Sequence, residues 1–238
     1  MTDRKSPEQL PLALPSDAAM GREDFLEAPS NAQAVAALDD PRGLPNGLSV
    51  LVGPPGSGKT HLAHVWARRV GARWQPVQSF RADLPALLEP GAPLKIVIDD
   101  AATLAGTGGE EALFHLINHL RGRGELLLTA PRPARDWGLA LPDLYSRLSA
   151  AAHPALAEPD EALLAAVLVK LFTDRQLQVD PGLIDFLLPR MERSLAAAGA
   201  LVARIDRRAL QLKRPVTVRL ASEVLALDLD NPGEPQAS

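Results

Sequence analysis

Short apolar runs recur along the first part of the chain, at residues 48–52, 74–77, 94–98 and 125–128. Runs this short, rich in Val, Ile and Leu, fit buried strands better than helices. Between them, at 59–70 and 110–121, apolar residues fall three and four apart, the spacing of one helix face. Alternation of the two patterns predicts an α/β fold, a parallel sheet with helices on both faces. A shorter helix is expected at 32–38, with Ser30 or Asn31 as its cap. Asp40-Pro41 and Pro45-Asn46-Gly47 are turn signals ahead of the first strand, and Gly71 is placed to end the 59–70 helix. Near Pro159 the character changes, and only helical patterns follow, at 160–174, 181–191, 194–212 and 217–227. There Pro181 and Pro189 mark a start and a stop, and Thr217 an N-cap. The expected division is an extended arm over 1–21, punctuated by Pro7, Pro11 and Pro15, then an α/β core over 22–158. A small all-helical domain over 159–228 and a disordered tail over 229–238 complete it.

Composition narrows the classes of partner. With 238 residues the chain can bury a substantial core, and 46% hydrophobic with 23% charged residues is ordinary for a globular protein. No cysteine is present, which excludes disulfides and thiolate metal sites. A formal charge of −4 argues against coating DNA, and 4% aromatics leave little material for stacking bases. No apolar stretch is long enough to span a membrane and no signal-peptide pattern opens the chain, so a cytoplasmic location is expected.

The chemistry concentrates at Gly53-Pro54-Pro55-Gly56-Ser57-Gly58-Lys59-Thr60, a complete Walker A loop set between an apolar strand and a helix. Its glycines allow successive N–H groups to turn inward toward phosphate oxygens, over the positive end of a helix. Lys59 is placed to reach the β- and γ-phosphates, and the Thr60 hydroxyl to hold Mg2+. Behind it, the apolar run at 94–98 ends in Asp99-Asp100, a Walker B pattern. In a parallel sheet that end lies beside the phosphate loop, so Asp99 is expected to hold the metal and Asp100 to orient an attacking water. The run from Glu125 ends at Thr129, which either senses the γ-phosphate or simply closes the strand. Arg147, in Tyr145-Ser146-Arg147-Leu148, taken alone is a surface arginine. His61 and His64 share a helix face, but no zinc-type spacing accompanies them and ordinary packing is expected.

Gly58-Lys59-Thr60-His61-Leu62, the Asp99-Asp100 pair, Arg132-Pro133 and Ser146-Arg147-Leu148 occur together, with Phe25 and Pro29-Ser30-Asn31 upstream. In this combination the chain resembles the AAA+ core of the bacterial replication initiator DnaA over roughly residues 22 to 225. The arm adds Gln9-Leu10-Pro11-Leu12-Ala13-Leu14, which looks like the peptide that docks on the replicative sliding clamp. Gln9 offers a two-way amide, Leu12 and Leu14 can fill apolar pockets, and the prolines lower the cost of ordering the peptide. A DnaA-type helix-turn-helix domain should follow the lid, and none is expected here, where only a short acidic, proline-containing tail follows residue 228. Core and arm together resemble the Hda/HdaA family, DnaA-homologous AAA+ regulators that inactivate DnaA.

The resemblance implies an AAA+ P-loop core with a helical lid, Phe25 and Asn31 beside the adenine of ADP or ATP, and residues 53–60 on its phosphates. It implies an arginine finger at Arg147, acting in trans on ATP held by DnaA. The implied partners are DnaA and the clamp's beta subunit, with DNA reached only through the clamp and self-association left open. Two departures from the DnaA pattern stand out. Pro131 replaces an acidic residue after the sensor strand, and Ala196 falls where an arginine belongs in the third lid helix. They imply weak or absent hydrolysis by the chain itself, unless Arg190, Arg193 or Arg204 substitutes. The competing reading is an autonomous, DNA-stimulated AAA+ ATPase of the helicase-loader or transposition-helper type.

Overall fold

The computed structural model describes residues 25–230. The Gln9, Leu10, Leu12 and Leu14 motif therefore lies outside the described residues, as does most of the expected tail. Helix α1 (Ala32–Asp39) precedes strand β1 (Leu48–Val52), helix α2 (Lys59–Val70) and the short strand β2 (Arg73–Gln75). Helix α3 (Phe80–Leu88), strand β3 (Lys95–Ile98), helix α4 (Gly109–Leu120), strand β4 (Glu125–Ala130) and helix α5 (Pro142–Ser149) complete the core.

All pairings are parallel, in the order β1-β4-β3-β2. A further extended segment joins the outer side of β1. Val50 N–H donates to Ala152 O, Val52 N–H to Pro154 O, and Leu156 N–H to Val52 O. In a parallel ladder the N–H facing Val50 O would come from residue 154, and Pro154 has none. One missing donor thus leaves this fifth segment as isolated bridges, and its proline is what hid it in the sequence.

Side-chain alternation splits the core in two. Val50, Val52, Ile96, Ile98, Leu126 and Leu128 face α3, α4 and α5, whereas Leu51, Val97 and Leu127 face α1 and α2. Helix α3, not among the expected elements, contains Pro85, which lies on its exposed face where the unpaired carbonyl meets water. Gly71 ends α2 with φ 67°, as its position predicts. Asn31 precedes α1 but does not cap it. Its Oδ1 instead accepts from Ala28 N–H at 2.9 Å and its amide donates to Leu26 O at 2.9 Å, fixing the turn upstream.

Helices α6 (Glu161–Asp174), α7 (Pro181–Leu187), α8 (Leu195–Leu212) and α9 (Val218–Asp230) share a third core built on Leu168, Phe172, Leu201, Val202 and Ile205. Asp160 caps α6 through Leu163 N–H at 2.8 Å, Ser194 caps α8 through Ala197 N–H at 3.1 Å, and Thr217 accepts from Leu220 N–H at 3.3 Å. Helix α9 continues to Asp230, past the expected start of the tail. Among the described residues no helix is long and apolar enough to cross a membrane.

Candidate nucleotide site and the cleft at the opposite end of the sheet

Because the strands are parallel, β1, β3 and β4 deliver their last residues to one edge, and the alternation decides which side chains meet there. Val97 and Leu127 point to the α2 face, so Asp99 and Thr129, two residues on, point the same way, toward the first turn of α2. Thr60 Oγ1 donates to Asp99 Oδ2 at 3.0 Å. The Thr129 hydroxyl donates to Asp99 Oδ1 and accepts from Asp100 N–H at 3.0 Å. Thr129 is wholly buried, so it reaches the mouth of the site only through Asp99. Asp100 stands exposed with φ 54° and ψ 38°, a strained setting for a residue with a Cβ. Its N–H bond to Thr129 helps to hold that conformation.

The loop itself curls through Gly56 at φ 72° and Gly58 at φ 97°. Lys59 turns back over it, donating to Gly53 O at 2.8 Å and Pro54 O at 2.9 Å. Ser57 N–H donates to the same Pro54 carbonyl at 3.3 Å, while the Ser57 hydroxyl is buried without a partner among the described residues. Burial lowers the Lys59 pKa, against the opposing pull of Asp100 and Asp99. Left-handed glycines, an orphaned buried hydroxyl and a desolvated ammonium form a cradle that fits a polyphosphate. The Thr60 hydroxyl beside Asp99 has the oxygen donors a magnesium ion requires.

Phe25 is buried against this edge, edge-on to His61 with ring centroids 5.3 Å apart and close to Gly58. Asn31 is also buried, but its amide is spent on the turn that carries Phe25. His64 stacks on Trp74 at 3.7 Å, and no cluster of metal-binding side chains occurs among the described residues. Of the three arginines near the expected lid position, Arg190 donates to Phe186 O and covers its ring. Arg193 faces Glu161 at 3.6 Å. Arg204 lies nine residues beyond Leu195, about 13 Å along α8. Ala196 is exposed.

Arg147 is not brought to this site. Leu144 and Leu148 anchor α5 in the core, and Arg147 lines a cleft of about 1260 Å3 with Leu48, Lys95 and Glu125, the first residues of β1, β3 and β4. That is the other end of the sheet, about 16 Å away along β1. The cleft gathers Arg42, Lys95, Arg121, Arg123 and Arg147 against one carboxylate, Glu125. Arg42 pairs with Asp40, Lys95 with Glu125 at 2.8 Å, and Arg123 bonds His119. Arg121 and Arg147 have no hydrogen bond or ion pair among the described residues.

Sequence reasoning missed Glu110, a buried residue that fixes the start of α5. Its carboxylate accepts from Gly106 N–H at 3.1 Å, Ala140 N–H at 2.9 Å and Leu141 N–H at 2.8 Å. Burial pushes its pKa up, but the three backbone donors outweigh it and the net shift is downward. Nothing in a single glutamate on a helical pattern signals partners thirty residues away.

The chain matches no model of a known protein family. Among solved structures it is similar to domain III of the Thermotoga maritima replication initiation protein DnaA, at 20% identity and a TM-score of 0.77, covering 88% of this chain and 97% of that one. AMPPCP-bound DnaA from Aquifex aeolicus gives 21% identity and 0.63, over 79% of this chain and 65% of that one. The Thermotoga maritima RuvB Holliday junction branch migration motor gives 18% identity and 0.67, over 87% and 72%. The fold is therefore that of the AAA+ P-loop proteins, a parallel αβ core followed by a helical lid.

Proposed function

We propose that this chain is a regulator of chromosomal replication initiation of the Hda kind. In this reading it holds ADP or ATP with Mg2+ at residues 53–60, with Thr60 and Asp99 toward the metal and Phe25 beside the base. It docks on the sliding clamp through Gln9, Leu10, Leu12 and Leu14, and stimulates hydrolysis of ATP bound to DnaA. The observation that carries the reading is the position of Arg147. Its guanidinium lies at the end of the sheet away from the chain's own phosphate loop, in a basic cleft, with no partner among the described residues. A cation so placed cannot serve the nucleotide at Lys59, and it is free to serve one presented by another subunit. The likeness to an AMPPCP-bound DnaA supports adenine nucleotide as the ligand type and a DnaA-like surface as the partner. Ala196 and Pro131 argue for feeble turnover by the chain alone, Asp100 being the residue placed to orient water there.

The test is hydrolysis of DnaA-bound ATP with DNA-loaded clamp, comparing the intact chain with Arg147→Ala. Acceleration by the first and not the second is the expected result. Equal rates with both, or turnover by the chain alone that single-stranded DNA stimulates, would replace this reading with the autonomous ATPase.

A further inference from the structure

The first residue of α8 touches the phosphate loop through its backbone. Leu195 N–H donates to Gly56 O at 2.8 Å, joining the lid's 18-residue central helix to the middle of the Walker A turn. The approach is close because Gly56 has no side chain; a Cβ there would collide with Ser194 Oγ and Cβ. Ser194 is buried and its hydroxyl is occupied in capping α8, so the bond to the loop falls to the N–H alone. Beyond this first turn, α8 packs Ala198, Leu201, Val202, Ile205 and Ala209 into the lid core. Any displacement of the lid as a body therefore breaks the contact at Gly56.

Peptide planarity gives that contact a consequence inside the loop. The Gly56 carbonyl and the Ser57 N–H belong to one peptide unit and point in opposite directions. Holding the carbonyl outward on Leu195 holds the Ser57 N–H inward, where it already faces Pro54 O at 3.3 Å. We propose that Leu195 N–H is a backbone latch that sets the Gly56–Ser57 peptide for phosphate and couples nucleotide retention to lid position. It does by a main-chain donor what Ala196, standing where the DnaA resemblance implies a lid arginine, has no side chain to do. The inference rests on the reading of residues 53–60 as a nucleotide site, and is independent of Arg147 and of DnaA.

Position 195 permits a clean test. It is the first residue of α8, where proline is tolerated because the N–H has no partner inside the helix. Ser194, at φ −144° and ψ 138°, already has the extended backbone that a following proline requires. Leu195→Pro thus deletes the latch and spares the helix, while Leu195→Ala deletes the side chain that approaches Gly58 and keeps the N–H. Release of a fluorescent ADP analogue, chased with excess ADP, is measured for the full chain and both variants. Amide exchange over residues 56–60 and 196–198 is followed in parallel. Release about tenfold faster in the proline variant is expected, with the alanine variant within about twofold of the parent. Loop exchange rises only in the proline variant. Equal release by parent and Leu195→Pro overturns the latch alone, as does equal loss in both variants. A parent chain that does not bind the analogue overturns the nucleotide site and the latch with it.

Discussion

The two ends of the central sheet are built on opposite plans. At the carboxyl ends, Lys59, Thr60, Asp99 and Thr129 bond to each other or to loop carbonyls, and Thr129 is fully buried. At the amino ends, Arg121 and Arg147 line an open cleft and bond to nothing among the described residues. A site that holds its own charged ligand benefits from donors and acceptors already fixed and partly desolvated. A group that acts on a ligand held elsewhere has to remain accessible and uncommitted. On the proposed function, the difference teaches that stability and activity separate in space here. Substitutions at the carboxyl end should cost folding free energy, and those at the amino end should cost function with little change in folding.

The largest effect expected is at Arg147. On the proposed function, Arg147→Ala should lower the stimulated hydrolysis of DnaA-bound ATP by about 10³-fold, the scale of a lost trans finger. Its melting temperature stays with the parent's. Arg147→Lys recovers little, since a point charge lacks the planar fork of a guanidinium. A melting temperature several degrees lower in Arg147→Ala would make the residue structural and erase the contrast between the two ends.

Glu110 is where the contrast can be broken, because it is a buried carboxylate supporting the helix that carries Arg147. Glu110→Ala strands three backbone donors and should destabilise the chain by about 3 kcal/mol, read by urea unfolding. Loosening the entry to α5 should also reduce stimulation. The pH dependence follows from the lowered pKa. The stabilisation is complete above the unfolded glutamate value of 4.5 and is lost as pH falls through the lower folded value. Glu110→Gln, which does not titrate, should therefore show a flatter loss of stability below about pH 4.5. An unchanged acid limb would remove Glu110 from the account.

Much of the nucleotide end was legible in the sequence because its determinants are local. β1 and α2 occupy the expected residues 48–52 and 59–70, since a five-residue apolar run and a Gly71 stop leave little freedom. The Asp99-Asp100 pair falls at the end of β3 for the same reason. What escaped depends on contacts between distant segments. Helix α3 was concealed by Pro85, and the fifth extended segment by Pro154, because local propensity cannot show which carbonyls face water or which donor a ladder lacks. The meeting of Leu195 with Gly56 joins residues 139 apart in the chain through main-chain atoms, which leave no mark on side-chain identity. Thr129, open between sensing a γ-phosphate and closing a strand, lies next to last in β4. Its hydroxyl ties the two halves of the Walker B corner together.

Thr129→Val tests that corner at nearly constant volume. It leaves the Asp100 N–H and one oxygen of Asp99 without their protein partner in a part-buried corner, at a cost of about 1 kcal/mol. The left-handed backbone at Asp100 then loses one of its restraints. The expected outcome is a lower midpoint of unfolding at an unchanged denaturant slope. A midpoint equal to the parent's would mean that Asp99 and Asp100 are held from elsewhere, and the carboxyl end would lose its preorganised character.

The smallest effect expected is at Arg121, and it carries the sharpest form of the comparison. Arg121 follows the last residue of α4, is exposed, and shares the cleft with Arg147. As it bonds to nothing among the described residues, Arg121→Ala should change stability by no more than about 0.5 kcal/mol. Its charge still contributes to the potential of the cleft, which would attract an anionic partner surface and is screened by salt. Stimulation should fall a few-fold at low ionic strength, through weaker association, and approach the parent value as salt rises. The maximal rate with saturating partner should be unchanged, which separates Arg121 from Arg147. If Arg121→Ala instead lowers that maximal rate as far as Arg147→Ala, the cleft acts as one catalytic unit rather than as a single finger in a basic surround.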